Sequence, residues 1–200
     1  MRGNIHVAVS FAITVAVTSV AVGAGGCVAP DESEPTATVY RTIVRFSPDG
    51  TVEPTFQTVT VAEQQAELAA RAAAIAALRT GGETQALPTL KVDGGCAGSS
   101  LWLFDQANLG GNELCLFKAP ADDMAWLDLG TLCRTPTRLC ATWANAVRSL
   151  WAGTHPGSLQ SCTATLCFTM PFLNFTPFQR INSVAAGAPH PLNWGFLFTP

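Results

Sequence analysis

The rhythm of apolar and polar positions changes along this chain, and each change predicts an element. From Val7 to Val22 the residues are apolar or small and uncharged. Arg2 precedes this run and Gly23-Ala24-Gly25-Gly26 follows it. That is the order of a secretory signal: positive start, apolar core, small-residue cleavage region. The core is short for a membrane span, which needs ~20 residues. Residues 1–26 are therefore read as a signal peptide. The acidic, Pro-containing stretch 27–36 has little to bury and reads as a flexible tether. Tyr40, Thr42, Val44 and Phe46 then alternate with Arg41, Ile43 and Arg45, a strand period. Ser47-Pro48-Asp49-Gly50 predicts a turn, and the chain returns from Thr51 to Thr58 as a strand that Pro54 confines to a sheet edge. Thr60 and Glu63 are spaced as a capping box ahead of an alanine-rich helix from Val61 to Arg79, which Gly81-Gly82 stops. Residues 37–82 thus form a hairpin and helix, read as a spacer-like segment. Residues 83–95 read as a linker. From 96 to 187 short apolar runs are separated by Gly, Pro and Asn, which predicts many short strands. The C-terminal tail, 188–200, is apolar enough to dock on the domain as an added strand.

The chain has seven cysteines. Cys27 stands at the end of the leader; Cys96, Cys115, Cys133, Cys140, Cys162 and Cys167 lie in the second half. An even set in an exported chain reads as a disulfide framework. Cys133 with Cys140 is the preferred local pair, closing the loop of Arg134-Thr135-Pro136-Thr137-Arg138; the other four stay unassigned. Cys27 has two readings. Ala24-Gly25-Gly26-Cys27 resembles a bacterial lipobox, with Ala24 where leucine is usual, and Cys27 would then carry lipid. Otherwise cleavage falls at a neighbouring small residue, and Cys27 is lost or left as a free thiol.

Two segments echo each other: Val147-Arg148-Ser149-Leu150-Trp151-Ala152-Gly153 and Ile181-Asn182-Ser183-Val184-Ala185-Ala186-Gly187. Cys96 through Phe104 is likewise echoed by Cys162 through Phe168. Duplication fits a two-fold β-sandwich. At these residues the chain resembles the βγ-crystallin Greek-key family, which includes small bacterial metalloprotease inhibitors. Phe104, Leu109 and Gly111 sit at the spacing of that family's folded hairpin, with Leu109 in place of the second aromatic. Ser149 and Ser183 match the serine that ties the hairpin down. The second motif, between Phe168 and Ser183, is short and reads as degenerate. The resemblance implies a mainly β fold: a βγ-crystallin-like Greek-key sandwich over 96–187, preceded by the hairpin and helix.

Charge excludes some functions. Charged residues make up 12% of the chain, net charge is −3, and Lys91 and Lys118 are its lysines. Nucleic acid and acidic lipid are therefore not expected partners, and membrane contact would come only through the lipid anchor. Microbial members of the family often bind calcium, but the matching stretch here runs Ala144-Asn145-Ala146-Val147-Arg148-Ser149. Ala144 has no side-chain oxygen and Arg148 brings a positive charge, so no metal is expected. The Asp122-Asp123 pair reads as a solvated loop. His6, His155 and His190 belong to no nucleophile or zinc motif, and the cysteine spacings lack the tight pairs of a zinc ribbon. No catalytic residue and no cofactor are expected. Trp102, Trp126, Trp143, Trp151 and Trp194 read mostly as core, and any that is exposed offers a surface for sugars or proteins. The expectation is a non-enzymatic binding or structural module of the bacterial cell envelope. One alternative is a secreted protease inhibitor presenting Arg134 or Arg138; the other is a carbohydrate binder using tryptophan on cell-wall glycan.

Overall fold

Thr38–Phe46 (β1) and Val52–Thr60 (β2) pair antiparallel, from Thr38 opposite Thr60 to Phe46 opposite Val52. The structure is a computed structural model that describes residues 37–46, 52–79, 95–118, 124–162, 173–185 and 192–198, all within the unit Pro35–Pro200. The expected turn at 47–50 lies outside these residues, as does the linker apart from Gly95. Alternation in β1 separates Val44, which faces the interior of the sandwich, from Ile43, which faces the helix. β2 carries Pro54 and lies at the edge of its sheet, where a missing amide N–H breaks no ladder. The helix, Val61–Arg79 (α1), opens with the capping box. Glu63 Oε2 accepts from the Thr60 amide at 2.7 Å, and Thr60 Oγ1 accepts from the Glu63 amide at 3.1 Å. The bond from the Thr60 amide, with a second from Thr60 Oγ1 to Glu63 Oε2 at 2.9 Å, holds the exposed Glu63 carboxyl below its ordinary pKa.

Eight further strands follow: Leu101–Gln106 (β3), Gly110–Phe117 (β4), Met124–Asp128 (β5), Ser149–Ala152 (β6), Gly157–Gln160 (β7), Leu173–Phe175 (β8), Arg180–Ile181 (β9) and Trp194–Phe198 (β10). They form two sheets, β2-β1-β4-β3-β6-β9 and β5-β10-β7-β8. The protein is a mainly β sandwich. β3 to β6 and β7 to β10 are two sets of four, and each sheet contains three strands of one set with the third strand of the other.

The second set supplies four strands, and Phe168, where its degenerate motif begins, lies outside the described residues. This exchange revises two expectations. The tail does dock as a strand, but Trp194–Phe198 lies inside its sheet between β5 and β7 and not at an edge, so the sandwich extends beyond residue 187. The echoed segments around Ser149 and Ser183 do not occupy equivalent places. β6 and β9 are neighbours, Leu150 opposite Ile181, one the fourth strand of its set and the other the third.

The inner faces pack Leu101, Leu103, Leu114, Leu116, Leu127, Trp143, Leu150, Leu159 and Leu197 into one core. The outer face of the first sheet is buried as well. Trp102, Phe104, Cys115 and Trp151 cluster there with Ile43 and with Leu68 and Ile75 of α1. The hairpin and helix are thus built into the sandwich. β1 extends the first sheet by pairing parallel to β4, and α1 forms a third layer over it.

Buried polar groups fix that layer. The parallel register sets Arg41 beside Glu113, and both are fully shielded from solvent. Arg41 Nε donates to Glu113 Oε1, while Glu113 Oε2 accepts from Gln64 Nε2 at 2.9 Å and Trp102 Nε1 at 3.0 Å. Arg41 also pairs with Glu67 at 3.0 Å, and Glu67 accepts the Cys96 amide at 2.7 Å. Burial pushes the Glu113 carboxyl up, with Arg41 and Gln64 pulling it back. One turn further along α1, buried Arg71 donates to the carbonyls of Ala97 (2.9 Å), Ser99 (3.1 Å) and Trp151 (3.2 Å), and its guanidinium lies 5.8 and 5.5 Å from the Trp102 and Trp151 rings.

Removing one partner of such a pair leaves the other charged and dry, which costs about 3–5 kcal/mol. Glu113→Ala is expected to destabilise by that amount in urea unfolding. The double variant Arg41→Met with Glu113→Leu is expected to recover most of the loss. Equal losses in the two would show that charge pairing is not what holds the layer.

Candidate functional site

The sequence-derived hairpin motif is a closed structure. After β3, the 3-10 turn Ala107–Leu109 reverses the chain into β4. Asn108 and Leu109 take left-handed φ angles of 59° and 62°, and Gly111 follows at 77°. A Cβ on Gly111 would run into the Asp105 carboxylate. That carboxylate accepts from the Asn112 amide at 2.8 Å, from Asn112 Nδ2 at 2.9 Å and from Arg134 Nη1 at 3.1 Å. Ser149, buried at the start of β6, donates to the Gln106 carbonyl at 2.6 Å and accepts the Leu109 amide at 2.9 Å. Phe104 and Leu109 are buried beneath the turn, Phe104 with its ring 5.1 Å from that of Trp102.

Ser183 has no such role. It is exposed and bonds nothing among the described residues. A two-bond bridge to backbone is made instead by Asn193, placed immediately before β10. Its Oδ1 accepts the Cys162 amide at 2.7 Å and its Nδ2 donates to the Cys162 carbonyl at 2.6 Å. An amide side chain bridges an N–H and a C=O as a hydroxyl does, so a search for serine passes over it. The alternation Trp194, Phe196, Phe198 was the available signal for the strand it introduces.

Two disulfides join Cys96 to Cys115 and Cys133 to Cys140, and Cys162 is disulfide-bonded too. Cys27 and Cys167 lie outside the described residues, as do Asp122, Asp123, His6 and His190. Disulfides of this kind belong to an oxidising, extracellular compartment. The Cys133–Cys140 loop is clamped at its base. Cys133 and Thr142 form a β-bridge, the Arg134 amide reaches the Ala141 carbonyl at 2.9 Å, and Thr42 Oγ1 donates to the Cys133 carbonyl at 3.0 Å. Arg134 does not project: it is half-buried and paired with Asp105. The projecting residues are Arg138 and Leu139, the latter 97% exposed.

In the stretch compared with a calcium site, Arg148 Nη1 donates to the carbonyls of Asn145 (2.8 Å) and Val147 (3.0 Å). A guanidinium thus takes oxygens that a metal would need. No group of three His, Cys, Asp or Glu suited to a metal occurs among the described residues.

The tryptophans divide by sheet. Trp102, Trp143 and Trp151 are core. Trp126 and Trp194 lie on the outer face of the second sheet, which α1 does not cover. Pairing sets two rows across that face: Asp128, Trp194, Gln160, and beside them Trp126, Phe196, Ser158, Asn174. The Trp126 and Trp194 rings are 5.0 Å apart at 34°, and those of Trp194 and Phe196 are 6.4 Å apart at 26°. Trp126 is 54% exposed. The result is an aromatic ladder of tilted and stacked rings, with a carboxylate and two amides within the same rows. Such a surface can stack on a flat apolar ring face and hydrogen-bond its edges.

His155, in the connection from β6 to β7, is buried. Its Nδ1 shares a 3.1 Å hydrogen bond with Thr154 Oγ1, and its Nε2 has no partner among the described residues. Burial first, and the Lys118 charge second, hold its pKa below the ordinary value.

No family model matches the chain, and no curated protein or solved structure is detectably similar to it.

The His155 environment predicts an acid dependence. Its folded pKa lies below the unfolded value of about 6.5, so the unfolded chain takes up the proton first. Stability is complete above about pH 6.5 and falls as pH drops below it, by at most about 1.4 kcal/mol per pH unit. Denaturation curves of wild type and His155→Gln from pH 7.5 to 4.5 should diverge there, the variant losing less. Parallel curves would rule out this assignment.

Proposed function

We propose that the protein is an exported, non-enzymatic binding module of the bacterial cell envelope, and that it binds glycan on the outer face of its second sheet. The carrying observation is the exposed Trp126 ring held against Trp194. A large aromatic surface left in water at a strand position forgoes about 25 cal/mol per Å² of burial, and a ligand restores it. A pyranose offers an apolar C–H face of matching size, with hydroxyls at its rim for Asp128, Gln160 and Asn174. The secretory leader pattern and the disulfides support export. The hairpin built from Phe104, Leu109, Gly111 and Ser149 supports the βγ-crystallin-like reading. So does the return of the fourth strand beside the first in each set, β6 beside β3 and β10 beside β7, as a Greek key would place it.

Titration with soluble oligomers of N-acetylglucosamine, followed by tryptophan fluorescence, tests this. Trp126→Ala is expected to weaken binding about tenfold, equivalent to about 1.4 kcal/mol, with the thermal midpoint unchanged because the ring is outside the core. Unaltered affinity in that variant, or no response in the wild type, would count against the glycan face.

One observation favours a second reading, protease inhibition. A residue as exposed as Leu139, beside Arg138 on a disulfide-closed loop clamped at its base, is suited to insertion into another protein's pocket. If so, the purified protein inhibits secreted metalloproteases, and Leu139→Gly raises the inhibition constant about tenfold or more. A protein that inhibits none of a broad panel does not have this role.

A further inference from the structure

A cleft of about 730 Å³ opens between the C-terminal half of α1 and the Thr176-Pro177-Phe178-Gln179-Arg180 turn that joins β8 to β9. This is within the usual range of small-molecule sites, about 300–1,000 Å³. Ala72 and Ala76 leave the space open on the helix side, and Trp151, Ile75 and Phe178 give it an apolar lining. Arg79 and Arg180 line it too, and no carboxylate does among the described residues. Neither arginine has an ion-pair partner among the described residues.

Two details indicate a built site. Arg180 is held in place: its guanidinium lies 5.5 Å from the Trp151 ring, and its Nε donates to Asn182 Oδ1 at 2.6 Å. Its two terminal nitrogens remain for a forked contact with a carboxylate. Phe178 is forced into a left-handed conformation, φ 60°, which a bulky aromatic residue seldom adopts. Three bonds impose it: the Phe178 amide to Gly153 O at 2.8 Å, the Thr176 amide to Gln179 Oε1 at 2.8 Å, and the Ala152 amide to Gln179 O at 2.9 Å. Strain kept by its surroundings is common where a side chain must be aimed at a ligand.

We infer that this cleft binds a small amphipathic carboxylate, its aromatic or alkyl body on Trp151 and Phe178 and its carboxylate held by Arg180 with Arg79. The site is separate from the aromatic face of the second sheet and does not depend on the glycan reading. Calorimetric titration of the mature chain with 4-phenylbutyrate, against the neutral alcohol 4-phenyl-1-butanol, tests it. The carboxylate is expected to bind with Kd below about 1 mM, and the alcohol about tenfold or more weaker. Arg180→Gln should lower carboxylate affinity about tenfold with the thermal midpoint unchanged, and Trp126→Ala should leave it intact. Equal affinity for acid and alcohol overturns the inference. So does binding that survives Arg79→Gln combined with Arg180→Gln, or no binding of the carboxylate by the wild type.

Discussion

The Glu113 carboxylate has no access to water, and its three donors come from three elements: Arg41 of β1, Gln64 of α1 and Trp102 of β3. A buried carboxylate is tolerated only when such donors satisfy it. Each donor therefore fixes an element. Arg41 sets the parallel register of β1 on β4, Gln64 sets the rotation of the helix, and Trp102 ties the central strand to both. Arg71 repeats the arrangement two turns after Gln64 with backbone carbonyls as acceptors. The apolar contacts of Leu68 and Ile75 would press α1 onto the sheet in many similar ways; the polar contacts leave one.

The two outer faces are accordingly unlike. On the first sheet, helix and sheet bury indole rings and charges together. On the second, the rings of Trp126, Trp194 and Phe196 face outward with polar neighbours in register. The closed hairpin adds stiffness at the end of the sandwich. Asp105 joins its turn to Asn112 and to Arg134, so the disulfide loop and the hairpin brace each other. The tip bearing Arg138 and Leu139 is thus presented from a rigid base.

What could be read in advance was local. The hairpin with Pro54 at an edge, the capping box and the helix limits each depend on a few neighbouring residues, and they stand where the pattern placed them. The third layer was not legible for a definite reason. The buried face of α1 is Gln64, Leu68, Arg71 and Ile75, and two of these four look like solvent-facing residues until their partners arrive from 96–113 and from Trp151. Leu101-Trp102-Leu103-Phe104 is buried on both sides, so it shows a continuous apolar run in place of alternation. Ser183 was singled out by a short likeness in sequence, whereas Asn193, which has none, is the side chain that bridges to backbone ahead of β10. Arg134 and Arg138 look alike in the chain; Asp105, a distant residue, separates the pinned one from the free one. Trp126 and Trp194 could be distinguished from the core tryptophans only once β10 was known to be an interior strand.

The parallel seam between β1 and β4 also governs the order in which the protein can be made. Arg41 and Glu113 are 72 residues apart, and no local turn can bring parallel neighbours together. As the chain emerges, the hairpin and helix appear first, yet the edge that completes their sheet and the carboxylate that neutralises Arg41 come much later. Until then an amphipathic helix with a charge on its apolar side must wait, partly formed, in solvent. A topology of such distant pairings closes slowly. Nascent chains would therefore pass through an interval in which β1 offers a bare edge to other molecules, and cellular quality control would act on that interval rather than on the finished sandwich.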